Sequence, residues 1–102
     1  MIAELENHRG ELAELCARFG VRRLDVFGSA AEGAFDRERS DVDLLVEMGP
    51  SDEISRFDAF FGLKEALELL LGRHVDLVDP SALENPYFAA SVERTRQGLY
   101  TA

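Results

Sequence analysis

Three short stretches of the chain alternate in hydropathy with a period of two: VRRLDVF at 21–27, DVDLLVE at 41–47 and RHVDLV at 73–78. In an extended chain successive side chains point to opposite faces, so each stretch reads as a strand with one apolar face. Leu24 and Val26 share a face of the first. Val42, Leu44 and Val46 share a face of the second, and Asp41, Asp43 and Leu45 take the other. Val75 and Leu77 oppose Asp76 and Val78 in the third. Helical spacing fills the intervals. Leu5, Leu12, Leu15, Cys16 and Phe19 give residues 3–19 an apolar stripe that Gly20 ends. Residues 53–71 carry Ile54, Phe57, Phe60, Phe61, Leu63, Leu67, Leu70 and Leu71, with Ser51 or Asp52 as the expected cap and Gly72 as the stop. Asn85-Pro86 reads as a cap followed by a proline at the first helical position, opening a last helix to about Gln97 that Gly98 closes. Residues 30–40 read as a short helical turn plus loop, and the tail LYTA as a short fourth strand. The order helix, strand, strand, helix, strand, helix specifies an α/β (α+β) domain, a small mixed sheet flanked by helices.

At 102 residues there is room for one domain, 1–102, with one core. Acidic residues outnumber basic ones 20 to 11, for a net charge of -9. That balance disfavours direct binding to nucleic acid or to an anionic membrane, both of which need clustered cations. One cysteine, Cys16, allows neither an internal disulfide nor a multi-cysteine zinc site, and its place on an apolar stripe makes it a core residue. With no apolar run near the ~18 residues of a membrane span and no signal-peptide pattern at the N-terminus, the expected compartment is the cytoplasm.

Three acids stand out by position. Asp41 and Asp43, at i and i+2, project from one face of a strand, ~7 Å apart at the Cα. Asp76 occupies a later strand between Val75 and Leu77 and adds a third carboxylate if those strands pair. Converging carboxylates repel by a few kcal/mol per pair at ~5 Å and an effective dielectric of ~20. A cation relieves that cost, and oxygen ligands without Cys or His suit Mg²⁺ or Mn²⁺. Two such ions can clamp a phosphoryl transfer. Taken alone, an Asp-x-Asp pair is more often a solvated strand end. Gly28-Ser29 follows the first strand, where a glycine admits close approach of an anion and a serine hydroxyl can donate to a phosphate oxygen. Taken alone, that pair is a turn.

Together, Phe27-Gly28-Ser29, Gly33, Ser40-Asp41-Val42-Asp43-Leu44-Leu45-Val46 and Val75-Asp76-Leu77-Val78 resemble the DNA polymerase beta-like nucleotidyltransferases, and most closely their smallest branch, the minimal nucleotidyltransferase (MNT) domains. The resemblance covers nearly the whole chain and implies that fold over 1–102. It implies that Gly28 and Ser29 hold the nucleotide phosphates, that Asp41 and Asp43 hold two Mg²⁺ ions (or Mn²⁺), and that Asp76 ligates one of them and helps activate the attacking hydroxyl. One departure concerns the stretch after Gly-Ser: many relatives are basic there, and this chain has Ala30-Ala31-Glu32, leaving Arg37 or Arg39 to supply the charge.

MNT domains commonly pair with a small helical HEPN protein, a ribonuclease toxin, and serve as its antitoxin. The resemblance therefore implies a hetero-oligomer in which AMP passes from ATP to a hydroxyl, a tyrosine's, on the HEPN partner. A binding module that neutralises its partner by contact alone is the alternative. It would place the energy in Phe57, Phe60 and Phe61, for which core packing is the first expectation. Transfer to a small molecule is a weaker third option, because the chain has no room for an acceptor domain. Arg22 and Arg23 read as strand-edge charges before triphosphate ligands, His8 as a surface residue, and His74 as a strand-end residue near Asp76.

Overall fold

The three alternating stretches and the tail assemble into one four-stranded sheet. The structure is a computed structural model and describes residues 1–32, 36, 41–50 and 55–102. In chain order it comprises α1 (Ala3–Asn7), α2 (Arg9–Arg18), β1 (Val21–Phe27), α3 (Ser29–Glu32), β2 (Val42–Met48), α4 (Arg56–Leu71), β3 (Val75–Val78), a 3-10 helix (Pro80–Glu84), α5 (Pro86–Thr95) and β4 (Gln97–Thr101). The strand order is β3-β2-β1-β4. β1 is antiparallel to both β2 and β4, and β2 is parallel to β3, so the sheet is mixed.

Alternation sorts the strand residues cleanly. Leu24, Val26, Val42, Leu44, Val46, Val75 and Leu77 join Leu5, Leu12, Cys16, Leu63 and Leu67 in the main core beneath α2 and α4. The opposite face carries a smaller cluster, Phe27, Leu45 and Val92, covered by Val78, Leu83 and Phe88 from β3, the 3-10 helix and α5. Cys16 is fully buried, and burial pushes its thiol up to about 12.

The helix ends follow local chemistry, with corrections to the expected bounds. The first helix is interrupted at His8, whose backbone leaves helical geometry (φ -111°) and whose Nδ1 lies 2.7 Å from the Glu4 carbonyl. A side chain that engages the backbone four residues back competes with the helical ladder. α4 starts at Arg56, with Ser55 as the cap accepting from the Asp58 amide at 3.1 Å. The expected caps Ser51 and Asp52, with Ile54, lie outside the described residues. α4 buries Ala59, Leu63, Leu67 and Leu71, a row spaced by four. Phe57 and Phe61 fall beside that row and stay 70% and 50% exposed, so core packing does not hold for them, while Phe60 is half-buried against the core. The Asn85-Pro86 start of α5 stands: Asn85 Oδ1 accepts from the amides of Tyr87 and Phe88. α5 ends at Thr95, and the tail strand begins at Gln97, ahead of Gly98. No helix among the described residues is long and apolar enough to cross a membrane.

Candidate active site

Register brings the predicted acids to one row. Across the parallel β2–β3 pair Asp43 faces Asp76, and across the antiparallel β1–β2 pair Asp43 faces Phe27. Phe27, Asp43 and Asp76 thus stand side by side on the face away from the main core. Asp41 precedes β2 and does not belong to it: the strand begins at Val42, whose amide donates to the His74 carbonyl at 3.1 Å. Asp41 is exposed at the strand mouth, with its Oδ2 3.2 Å from His74 Nδ1.

Gly28 closes the row from the β1 side. Its φ is +71°, a left-handed conformation that costs an L side chain ~1–2 kcal/mol. A Cβ built at Gly28 would stand 2.6 Å from Asp43 Oδ2, so only glycine lets the loop lie against that carboxylate. The Gly28 carbonyl accepts from the amides of Ala31 and Glu32, which bends the chain directly into α3. Ser29 opens α3 and is half-buried.

The electrostatics of the row are those of crowded like charges. Asp43 is pushed up from the ordinary 3.8 to about 6, first by burial and then by the carboxylates of Asp76 and Asp41. Among the described residues no three carboxylate, imidazole or thiol side chains converge on one point as a ready metal cage. The donor set nevertheless suits a hard divalent cation: Asp76 and Asp41 lie near enough to raise Asp43, a conflict that bound positive charge reverses.

Arg22 pairs with Glu47 at 3.4 Å, and Arg23 with Asp25 at 3.0 Å. Both sit at the start of β1, up to six residues or ~20 Å of strand from Gly28, as strand-edge charges paired with acids. Gly33, Arg37, Arg39 and Ser40 lie outside the described residues. Three contacts escaped the sequence reading. His74 engages Asp41, Thr95 Oγ1 accepts from the Gly28 amide at 2.7 Å, and the Arg96 guanidinium pairs with Asp25, which is 1% exposed. Only His74 carried a signal, its position two residues before Asp76.

The site is a small mixed sheet bearing acids at two parallel strands, with a Gly-Ser turn closed over them. A family model described as a nucleotidyltransferase domain matches residues 9–99. The protein adenylyltransferase MntA of Thermococcus cleftensis is 47% identical over 81 residues, which are 79% of this chain and 75% of that one. A solved structure provisionally assigned as a minimal nucleotidyltransferase superposes with a TM-score of 0.72 at 41% identity, over 91% of this chain and 90% of that one. A second, a tri-AMPylated Shewanella oneidensis HEPN toxin in complex with an MNT antitoxin, matches with a TM-score of 0.61 at 20% identity, over 96% and 73% of the two chains, a likeness of fold alone. The chain belongs to the nucleotidyltransferase domain family, in its minimal branch. It is a nucleotidyltransferase.

Proposed function

We propose that this chain transfers AMP from ATP to a tyrosine hydroxyl of a HEPN-domain ribonuclease toxin, disarming it as its antitoxin, in a cytosolic complex of the two. The observation that carries the reading is the in-register pair Asp43–Asp76 with Asp41 two residues away and Gly28 closed against Asp43. It is supported by the Thermococcus cleftensis relative, named a protein adenylyltransferase, and by the Shewanella oneidensis neighbour, an MNT antitoxin bound to an AMPylated HEPN toxin.

Asp41, Asp43 and Asp76 are the residues that would hold Mg²⁺, two ions in the fullest form. When bound, the metal supplies positive charge against the reacting phosphates and the departing pyrophosphate. The protein's own groups do the rest. Gly28 withholds a Cβ where the phosphates must approach Asp43. The Ser29 hydroxyl donates to a phosphate oxygen. Asp76 accepts the proton of the attacking hydroxyl as its oxygen bonds to the α-phosphorus. The bond from that phosphorus to the oxygen bridging to the β-phosphate breaks, and pyrophosphate leaves with the electron pair.

A second reading, neutralisation by contact alone, is favoured by one observation: the exposed, mutually touching rings of Phe57 and Phe61, with centroids 4.7 Å apart. The intact mass of a co-expressed HEPN partner separates the two. Adducts of one or more AMP units with the wild type, absent with Asp41→Ala, are the expected result. An unmodified partner in a stable complex with both proteins would overturn the enzymatic reading for that pair.

A further inference from the structure

We propose that Thr95 is a positioning residue for the nucleotide: its hydroxyl holds the Gly28 amide and so sets the Gly28-Ser29 loop against the carboxylate row. The role in nucleotide binding rests on the reading given above; the hydrogen bond does not.

Gly28 is the most conformationally free residue type at the most constrained point of the site. Its carbonyl is already committed to the amides of Ala31 and Glu32, and its Cα lies against Asp43. The remaining backbone group is its N–H, and Thr95 takes it from 67 residues away, at 2.7 Å. The two following residues reinforce the grip. The Arg96 guanidinium pairs with Asp25, three residues before Gly28. Gln97 Nε2 donates to the Ala31 carbonyl at 3.0 Å, three residues after it. The junction of α5 and β4 therefore touches the β1–α3 segment before, at and after the glycine.

Two consequences follow. First, the Gly28 amide is occupied by protein, so the loop offers a phosphate the Ser29 side chain while Gly28 serves by lacking a Cβ. Second, the loop is held before ligand arrives, and a preordered loop loses less conformational freedom on binding. Thr95 is the specific contributor because a hydroxyl of this length is needed. Valine keeps the shape and removes the acceptor; serine keeps the acceptor.

The test compares the wild type with Thr95→Val and Thr95→Ser in two measurements, with Thr95→Ala in reserve should valine fail to fold. Amide hydrogen exchange is followed without ligand, and the affinity for a non-hydrolysable ATP analogue with Mg²⁺ is measured by calorimetry. In Thr95→Val, exchange at Gly28 is expected to accelerate about fivefold, as fits loss of one hydrogen bond of ~1 kcal/mol. β2 amides should be unchanged, and the analogue should bind about tenfold more weakly. In Thr95→Ser both values should stay within about twofold of wild type. Unchanged Gly28 exchange in Thr95→Val overturns the proposal. So does accelerated exchange with unaltered affinity, which would make Thr95 structural only. General acceleration that includes β2 overturns it too. If the wild type itself binds no analogue while Gly28 exchange responds to Thr95→Val, the nucleotide reading has failed and the positioning role with it, and only the hydrogen bond survives.

Discussion

Replacing Asp43 with asparagine should stabilise the metal-free protein, and the size and pH dependence of the gain follow from the carboxylate row. Asp43 in the folded chain titrates near 6 and not 3.8, because it is partly buried and faces Asp76 and Asp41. A raised carboxylate pKa means the folded state binds its proton more tightly than the unfolded state. Stability is therefore lost as pH rises from about 4 through 6, and the deficit is complete above about 7. At ~1.36 kcal/mol per pH unit the ceiling is about 3 kcal/mol. Asp43 is only half-buried, and solvent screening reduces that to about 1–1.5 kcal/mol. Asparagine is nearly isosteric and carries no charge, so it should recover this amount. For a domain of this size the gain corresponds to about 5–10 °C in Tm. Thermal melts in EDTA at pH 8 and pH 4 measure it: Asp43→Asn should melt higher at pH 8, and the difference should nearly vanish at pH 4. Adding Mg²⁺ should raise the wild-type Tm by mass action and leave the variant almost unmoved. A variant that melts lower than wild type at pH 8 without metal would refute the reasoning and make Asp43 a structural carboxylate.

Two further substitutions probe the frame around the row. Gly28→Ala places an L residue at φ +71° and a Cβ 2.6 Å from Asp43 Oδ2. It should cost about 1–2 kcal/mol in a urea titration, and by displacing Asp43 lower AMP transfer at least about a hundredfold; near-normal transfer would show that Gly28 and Asp43 are not tightly apposed. Arg96→Met leaves the buried Asp25 with Arg23 alone and should cost about 2–4 kcal/mol. The double variant Asp25→Asn/Arg96→Met should lose less than the sum of the single losses, whereas strict additivity in urea titrations would show that the two groups do not interact.

What was legible in the sequence was parity, because it is covalent. Once 41–47 and 73–78 are strands, Asp43 and Asp76 must lie opposite Val42, Leu44, Val75 and Leu77, and the structure has them so. Register was not legible. That Asp43 faces Asp76 depends on a parallel pairing set by the packing of α4 between β2 and β3, and no local rule supplies it. The helix bounds that shifted did so for side-chain reasons that helical spacing cannot carry: the His8 ring against the Glu4 carbonyl, and Arg96 leaving α5 with its guanidinium on Asp25.

Asp25 shows why parity alone cannot identify a reactive acid. It lies on the same sheet face as Asp43, two residues before Phe27, and is more deeply buried than Asp43. By position in a strand it has as good a claim to chemistry as Asp43. The difference lies in what faces each of them. Arg96 and Arg23 compensate Asp25, which makes it a tether between β1 and the α5–β4 junction. Asp43 is faced by two further carboxylates, which leaves its charge uncompensated by the neighbours that raise its pKa. One acid has its cations built in, and the other is surrounded by further acids. Arg96 comes from 71 residues along the chain, so that distinction exists only in the folded molecule.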